Sequence, residues 1–255
     1  MRNPQTFGAS IRDYLDVSVM RVHKQKSQAL NLTVIPILLA GCIMGVGQDL
    51  NPQTRNAGLF PTVVFSCSRG GASPPYYSIA VDSTGNATYQ SIPNSVARTG
   101  APYTMEFLAS NTTRTQIFGM IESLHFLRGL GNDPKFSVAS SSHTLIFTEG
   151  VQRNEIQYDT VSDPNVKNLT SLFERISSTM EFGRRLGIME QNDPSAIEAE
   201  IGRMKDMIQA KQLAELQTLS PILLRIASDS RVSPNSRQQA QLVLNRIGTS
   251  SASSR

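Results

Sequence analysis

The chain has 255 residues, a formal net charge of +4, 17% charged and 39% hydrophobic residues, 13 Pro, 17 Gly and two Cys. That composition excludes collagen-like, disulfide-scaffold and fully disordered classes. Residues 1–41 carry Arg2, Arg12, Arg21, Lys24 and Lys26 against Asp13 and Asp16, so the rest of the chain keeps only +1. No run of five Lys or Arg occurs, and binding to phosphates needs a clustered basic face. No nucleic-acid partner is expected.

From Leu30 the chain reads LNLTVIPILLAGCIMGVG, preceded by Arg21, His23, Lys24 and Lys26. A basic stretch, a short apolar run and small residues behind it form a secretory signal. Within it, Leu39-Ala40-Gly41-Cys42 resembles the lipobox of bacterial lipoproteins. The resemblance implies cleavage before Cys42 and a diacylglycerol on its sulfur. Residues 1–41 are then the signal peptide, and Met20, followed at once by Arg21, reads as an alternative start. Two other readings stay open: cleavage after Gly47, behind the small Gly45 and Gly47, and uncleaved anchoring. The apolar run is short for a spanning helix, which needs about 20 apolar residues, and it contains Pro36.

Residues 42–58 include the polar run Gln48–Gly58 and read as a tether. An α+β domain is expected over 59–190. Thr62–Cys67 is a β-branched run, and Tyr76–Asp82 alternates with Tyr77, Ile79 and Val81 on one side. Ser83-Thr84-Gly85-Asn86 is a turn, and Ala87–Ile92 returns as the second arm of a hairpin. Pro93–Pro102 is a loop. Tyr103–Leu108 alternates through Tyr103, Met105 and Phe107.

The period then becomes helical. Ser110 or Thr112 caps a helix through Ile117, Ile121 and Leu124, with its stop at Gly129 and Gly131. A second hairpin follows, His143–Thr148 and Asn154–Asp159, turning near Glu149-Gly150. Asp163-Pro164 opens a helix with a cap and a proline at its first position. Its stripe is Val166, Leu169, Phe173, Ile176 and Met180, spaced 3, 4, 3, 4, which is one buried face. The order β-β-β-β-α-β-β-α predicts an antiparallel sheet with helices on one face.

Residues 193–248 are helical in pattern: a helix from Asp193-Pro194 with Ile197, Ile201, Met204 and Ile208, then a helical hairpin opened by Ser220-Pro221 and Ser233-Pro234. The hairpin resembles a single HEAT-type repeat unit, and one unit cannot make a solenoid. Gly248 marks its stop, and 249–255 reads as a disordered tail.

Cys67, Gly70 or Gly71, Pro74, Tyr77 and Gly85, in that order, resemble a family of bacterial domains of unknown function. That family has a Cys-Pro pair where this chain has Ser73-Pro74. The resemblance implies no activity.

The chain has no HExxH, no GxSxG and no phosphate loop. A metal site would need His125 and His143 joined by Glu122 or Glu106. A nucleophile at Cys67 would need a histidine base held by a third group, and a buried inert thiol is the commoner state of a strand cysteine. The loop Ser68–Pro75 reads as a connector rather than an anion site, because no helix start follows it. The expectation is a non-catalytic cell-envelope lipoprotein. It is held to the membrane on the extracytoplasmic side through Cys42, with no cofactor, no metal and an envelope protein as its partner. The alternatives are a secreted binding or inhibitor module and an envelope hydrolase.

Overall fold

The computed structural model describes residues 60–69, 72–92, 102–130 and 141–252. Cys42, the signal segment and the tether lie outside the described residues, as does most of the loop 93–102. The described chain forms β1 (Thr62–Arg69), β2 (Tyr76–Asp82), β3 (Asn86–Ile92), β4 (Tyr103–Leu108), α1 (Asn111–Ser123), β5 (Ser141–Glu149), β6 (Gln152–Tyr158) and α2 (Pro164–Asn192). It continues with α3 (Ile197–Gln209), α4 (Ser220–Ser228) and α5 (Pro234–Ala252). The strands make one antiparallel sheet in the order β4-β3-β2-β1-β5-β6. This is the expected α+β architecture.

The period-2 pattern does its work on one face. Val63, Phe65 and Cys67, Tyr77, Ile79 and Val81, Leu145 and Phe147, and Ile156 and Tyr158 all point into one core. Ile117 and Ile121 of α1 and the whole expected α2 stripe close that core from above. Phe173 stacks on Phe65 with ring centroids 5.0 Å apart and planes 4° from parallel. The hairpin from β2 to β3 turns at Gly85, whose φ of +98° favours a residue without Cβ. The Asp82 carboxylate accepts from the backbone N–H groups of Thr84 and Asn86 and fixes the turn.

Ser110 is the cap of α1, its Oγ accepting from the Thr113 N–H. The helix ends at Ser123, six residues before the expected glycine stop. A turn at His125–Leu127 ends it instead, with all three residues at positive φ. His125 therefore lies beyond the helix, not on it. Asp163 caps α2 by accepting from the N–H groups of Asn165 and Val166.

With 29 residues, α2 is about 43 Å long at 1.5 Å per residue. It serves two cores. Its first half covers the sheet, while Phe182 and Leu186 pack with Ile197, Ile201, Leu223 and Val243 of α3, α4 and α5. Glu215, buried and in the left-handed region, ties this helical part to the sheet part. Its carboxylate accepts from the N–H and the hydroxyl of Ser110 at 2.9 and 2.8 Å. The last helix runs four residues past Gly248, so Thr249–Ala252 is helix rather than tail. A glycine in a helix interior costs only about 1 kcal/mol, too little to stop a helix whose preceding turns are packed. Among the described residues no helix is long and apolar enough to cross a membrane.

Candidate functional site

Strand register places a line of polar residues across the whole helix-covered face. Tyr103 pairs with Ser91, Ser91 with Tyr77, Tyr77 with Cys67, Cys67 with His143, and His143 with Tyr158. Direct cross-strand partners share a face with their Cβ atoms about 5 Å apart. The row therefore runs unbroken from one sheet edge to the other, at one end of the core.

Above it, α2 carries a second stripe, Thr170, Glu174, Ser177, Glu181 and Arg184. The stripe is offset by one residue or so from the apolar one, and it meets part of the row and the neighbouring Tyr89. The Tyr158 hydroxyl lies 2.6 Å from the Thr170 hydroxyl. Glu174 bonds the Arg69 guanidinium and lies 3.8 Å from His143 Nε2. Tyr89 and Ser91 donate to Glu181 Oε1 at 2.9 and 2.7 Å, and Arg184 Nε donates to Oε2 at 2.8 Å. Both oxygens of this buried carboxylate are thus satisfied, as a buried charge requires.

The Glu174 end is less complete. Tyr77 Oη and both ring nitrogens of His143 are buried without hydrogen-bond geometry to any partner. Cys67 sits between them on the middle strand, 1% exposed. His143 is 7% exposed and is stacked between Phe65 and Tyr158, at centroid distances of 5.8 and 5.3 Å. Only Arg69 and Glu174 reach solvent.

Electrostatics follow the geometry. The Cys67 side chain first, then Glu174, push His143 up to about 9, against the opposing effect of burial. His143, joined by Arg69, holds Glu174 below the usual carboxylate range. Burial, then the nearby Cys67 and Glu174, push the Tyr77 phenol up, so it stays a neutral donor. The direction of the shift favours the protonated imidazole, held between Cys67 and the Glu174 carboxylate.

The sequence candidates divide clearly. Cys67 and His143 meet, on directly paired residues, and Glu174 supplies the third group. Arg69, Tyr77 and Glu174 carried no functional expectation from sequence. His125 and Glu122 are exposed near the end of α1, and Glu106 faces outward on β4, so none of them joins His143. Among the described residues, no group of three or more His, Cys, Asp or Glu is arranged to hold a metal ion. Ser68 and Arg69 continue β1 rather than belonging to a connector, which is how Arg69 reaches Glu174. Cys42 lies outside the described residues. The chain matches no protein-family model and no curated protein.

Proposed function

We propose that this chain is a non-catalytic envelope lipoprotein: a binding or bracing α+β domain held to the membrane through an acylated Cys42. The observation that carries the non-catalytic part is the closure of Cys67 and His143 beneath α2. A nucleophile must meet a substrate carbon at about 3 Å with a base in reach. Here the thiol is 1% exposed between Tyr77 and His143 on the helix-covered face, so no substrate reaches it while α2 is in place. The membrane part is supported by Leu39-Ala40-Gly41-Cys42 behind a basic and then an apolar segment. Several acyl chains hold a protein to a bilayer where a single one is marginal.

A second reading, an envelope hydrolase, is favoured by one observation: Cys67, His143 and Glu174 converge from three elements in the order nucleophile, base and orienting acid. One experiment addresses both halves. Intact mass of the membrane-extracted chain should show the diacylglycerol adduct and cleavage before Cys42. Alkylation by iodoacetamide should then leave Cys67, the remaining thiol, untouched until the protein is unfolded. A lipid-free mass refutes the anchor. Rapid alkylation of the folded protein at neutral pH, suppressed by His143→Phe, moves the hydrolase to first place.

A further inference from the structure

The start of β1, the β2–β3 turn, the end of β4 and the β5–β6 turn all lie at one end of the sheet. Thr62 pairs with Asp82 on one side and Thr148 on the other, and Asn86 pairs with Leu108. The chain arrives at this end from Cys42, which precedes Phe60 by 18 residues. A stretch of that length spans at most about 60 Å.

Three large apolar side chains are open to solvent here. Phe60 is 44% and Leu108 66% exposed, and Val151, in the β5–β6 turn, is fully exposed. The Pro61 carbonyl accepts from the Ser83 N–H at 2.8 Å, which holds Phe60 beside the β2–β3 turn. A Cβ on Gly85 would lie 3.6 Å from Leu108 Cδ1 and 3.8 Å from Arg114 Cδ, so both side chains rest on that same turn. In the sheet order Leu108, Phe60 and Val151 therefore follow one another along the end, from β4 through β1 to β5.

Two guanidinium groups stand among them. Arg114 Nη1 donates to the Thr84 carbonyl at 3.3 Å, and Arg128 Nη2 donates at 2.9 Å to the side-chain oxygen of Gln152, next to Val151. Both acceptors are neutral. Of the carboxylates nearby, Asp82 is taken up by its own turn, and Glu149 stands at the second tip. At the opposite end of the sheet, by contrast, Arg69 is bonded by Glu174. Single exposed apolar residues are ordinary. Apolar tips interleaved with unneutralised cations form the surface that an anionic bilayer takes up, and here they lie where an anchored chain enters the domain.

We infer that this end is a membrane-contact face: Phe60, Leu108 and Val151 enter the boundary between headgroups and acyl chains, and Arg114 and Arg128 bind lipid phosphates. This rests on the anchored reading of Cys42. It turns the Arg69–Glu174 end of the sheet away from the bilayer.

The chain has no Trp, so one introduced Trp reports its own surroundings. Val151→Trp places it at the contact face. Ile92→Trp places it, also exposed, at the other end of β3, about 20 Å away at the rise of a strand. Each full lipidated chain is reconstituted in vesicles of phosphatidylcholine and phosphatidylglycerol, with or without bromine on the acyl chains. Bromine should quench the fluorescence of Val151→Trp and leave that of Ile92→Trp unchanged. Adding Arg114→Gln and Arg128→Gln to Val151→Trp should lower the ratio of docked to undocked ends by about fivefold for each guanidinium removed. Circular dichroism of every variant should match the wild type. Intact mass and flotation of the same samples read the anchor separately. A chain that lacks the Cys42 adduct and does not float with the vesicles removes the anchor and the face together. A lipidated, floating chain overturns the face alone in any of three ways: no quenching of Val151→Trp, equal quenching of Ile92→Trp, or quenching indifferent to both arginine substitutions.

Discussion

His143 links the candidate site to stability, and the sign of its effect is fixed by the direction of its shift. An ordinary histidine titrates near 6.5, whereas Cys67 and then Glu174 raise this one to about 9. A group whose pKa is raised on folding stabilises the native state fully below its unfolded value and loses that contribution as pH rises through its folded value. The window is therefore about pH 6.5 to 9, and stability should fall across it. The difference of roughly 2.5 pH units corresponds to a ceiling of about 3 kcal/mol. Solvent reaching Glu174 and Arg69 brings the observed value below that ceiling. Urea unfolding at half-unit pH steps measures it, with the imidazole resonance of His143 followed by NMR to assign the titration. His143→Phe keeps a ring stacked between Phe65 and Tyr158 but cannot titrate, so its profile should be flatter over the same window. Cys67→Ala removes the largest cause of the shift and should move the His143 midpoint back toward 6.5. A His143 midpoint at or below 6.5, or wild-type stability that rises between pH 7 and 9, refutes the assignment of an imidazolium in this seam.

Three other outcomes follow from the packing. Phe173→Ala should cost about 3–5 kcal/mol, because the ring is fully buried on Phe65; an unchanged urea midpoint contradicts its place in the core. Glu181→Ala strands Tyr89, Ser91 and Arg184 without their shared acceptor and should cost about 3–5 kcal/mol. Equilibrium unfolding of Glu181→Ala, Tyr89→Phe and the double variant should show strong coupling rather than additivity. Glu215→Ala removes both hydrogen bonds to Ser110 and should cost about 1–3 kcal/mol; hydrogen exchange should quicken in the first turn of α1, and unaltered protection there argues against the latch.

The elements were legible in the sequence because each has a local cause. Asp163-Pro164 announces α2, the 3, 4, 3, 4 stripe announces its buried face, and Ser83-Thr84-Gly85-Asn86 announces the turn. Helix ends were read less well where tertiary packing overrode the local signal. The turn at His125–Leu127 is stabilised by Phe126 against Phe147, with ring centroids 5.3 Å apart, and α5 passes through Gly248.

The candidate site was not legible, for two distinct physical reasons. Cys67 and His143 are neighbours through the β1–β5 pairing, which joins segments 76 positions apart in the sequence across three intervening strands. Alternation fixes which face each residue takes, but not which strand lies beside it. A one-residue slip would turn either side chain to the other face, and a two-residue slip would keep the face and break the pair. Glu174 was hidden by adjacency. It follows Phe173 of the apolar α2 stripe, and one residue turns a helix by about 100°, which in an isolated helix points a carboxylate toward water. The helix lies on a sheet whose end row is polar, so that flank is partly covered too, with Glu174 37% exposed. The same offset carries Thr170, Ser177 and Glu181 onto the row. A helix covering a sheet with one wholly polar row needs a polar stripe beside its apolar one, set at the same 3–4 spacing. Thr170, Glu174, Ser177, Glu181 and Arg184 have that spacing in the sequence. The row itself, Tyr103, Ser91, Tyr77, Cys67, His143 and Tyr158, exists only once six strands are in register. The site is therefore a property of the sheet's assembly, and a variant that shifts β5 by two residues should abolish the raised His143 midpoint while leaving helix and strand content unchanged.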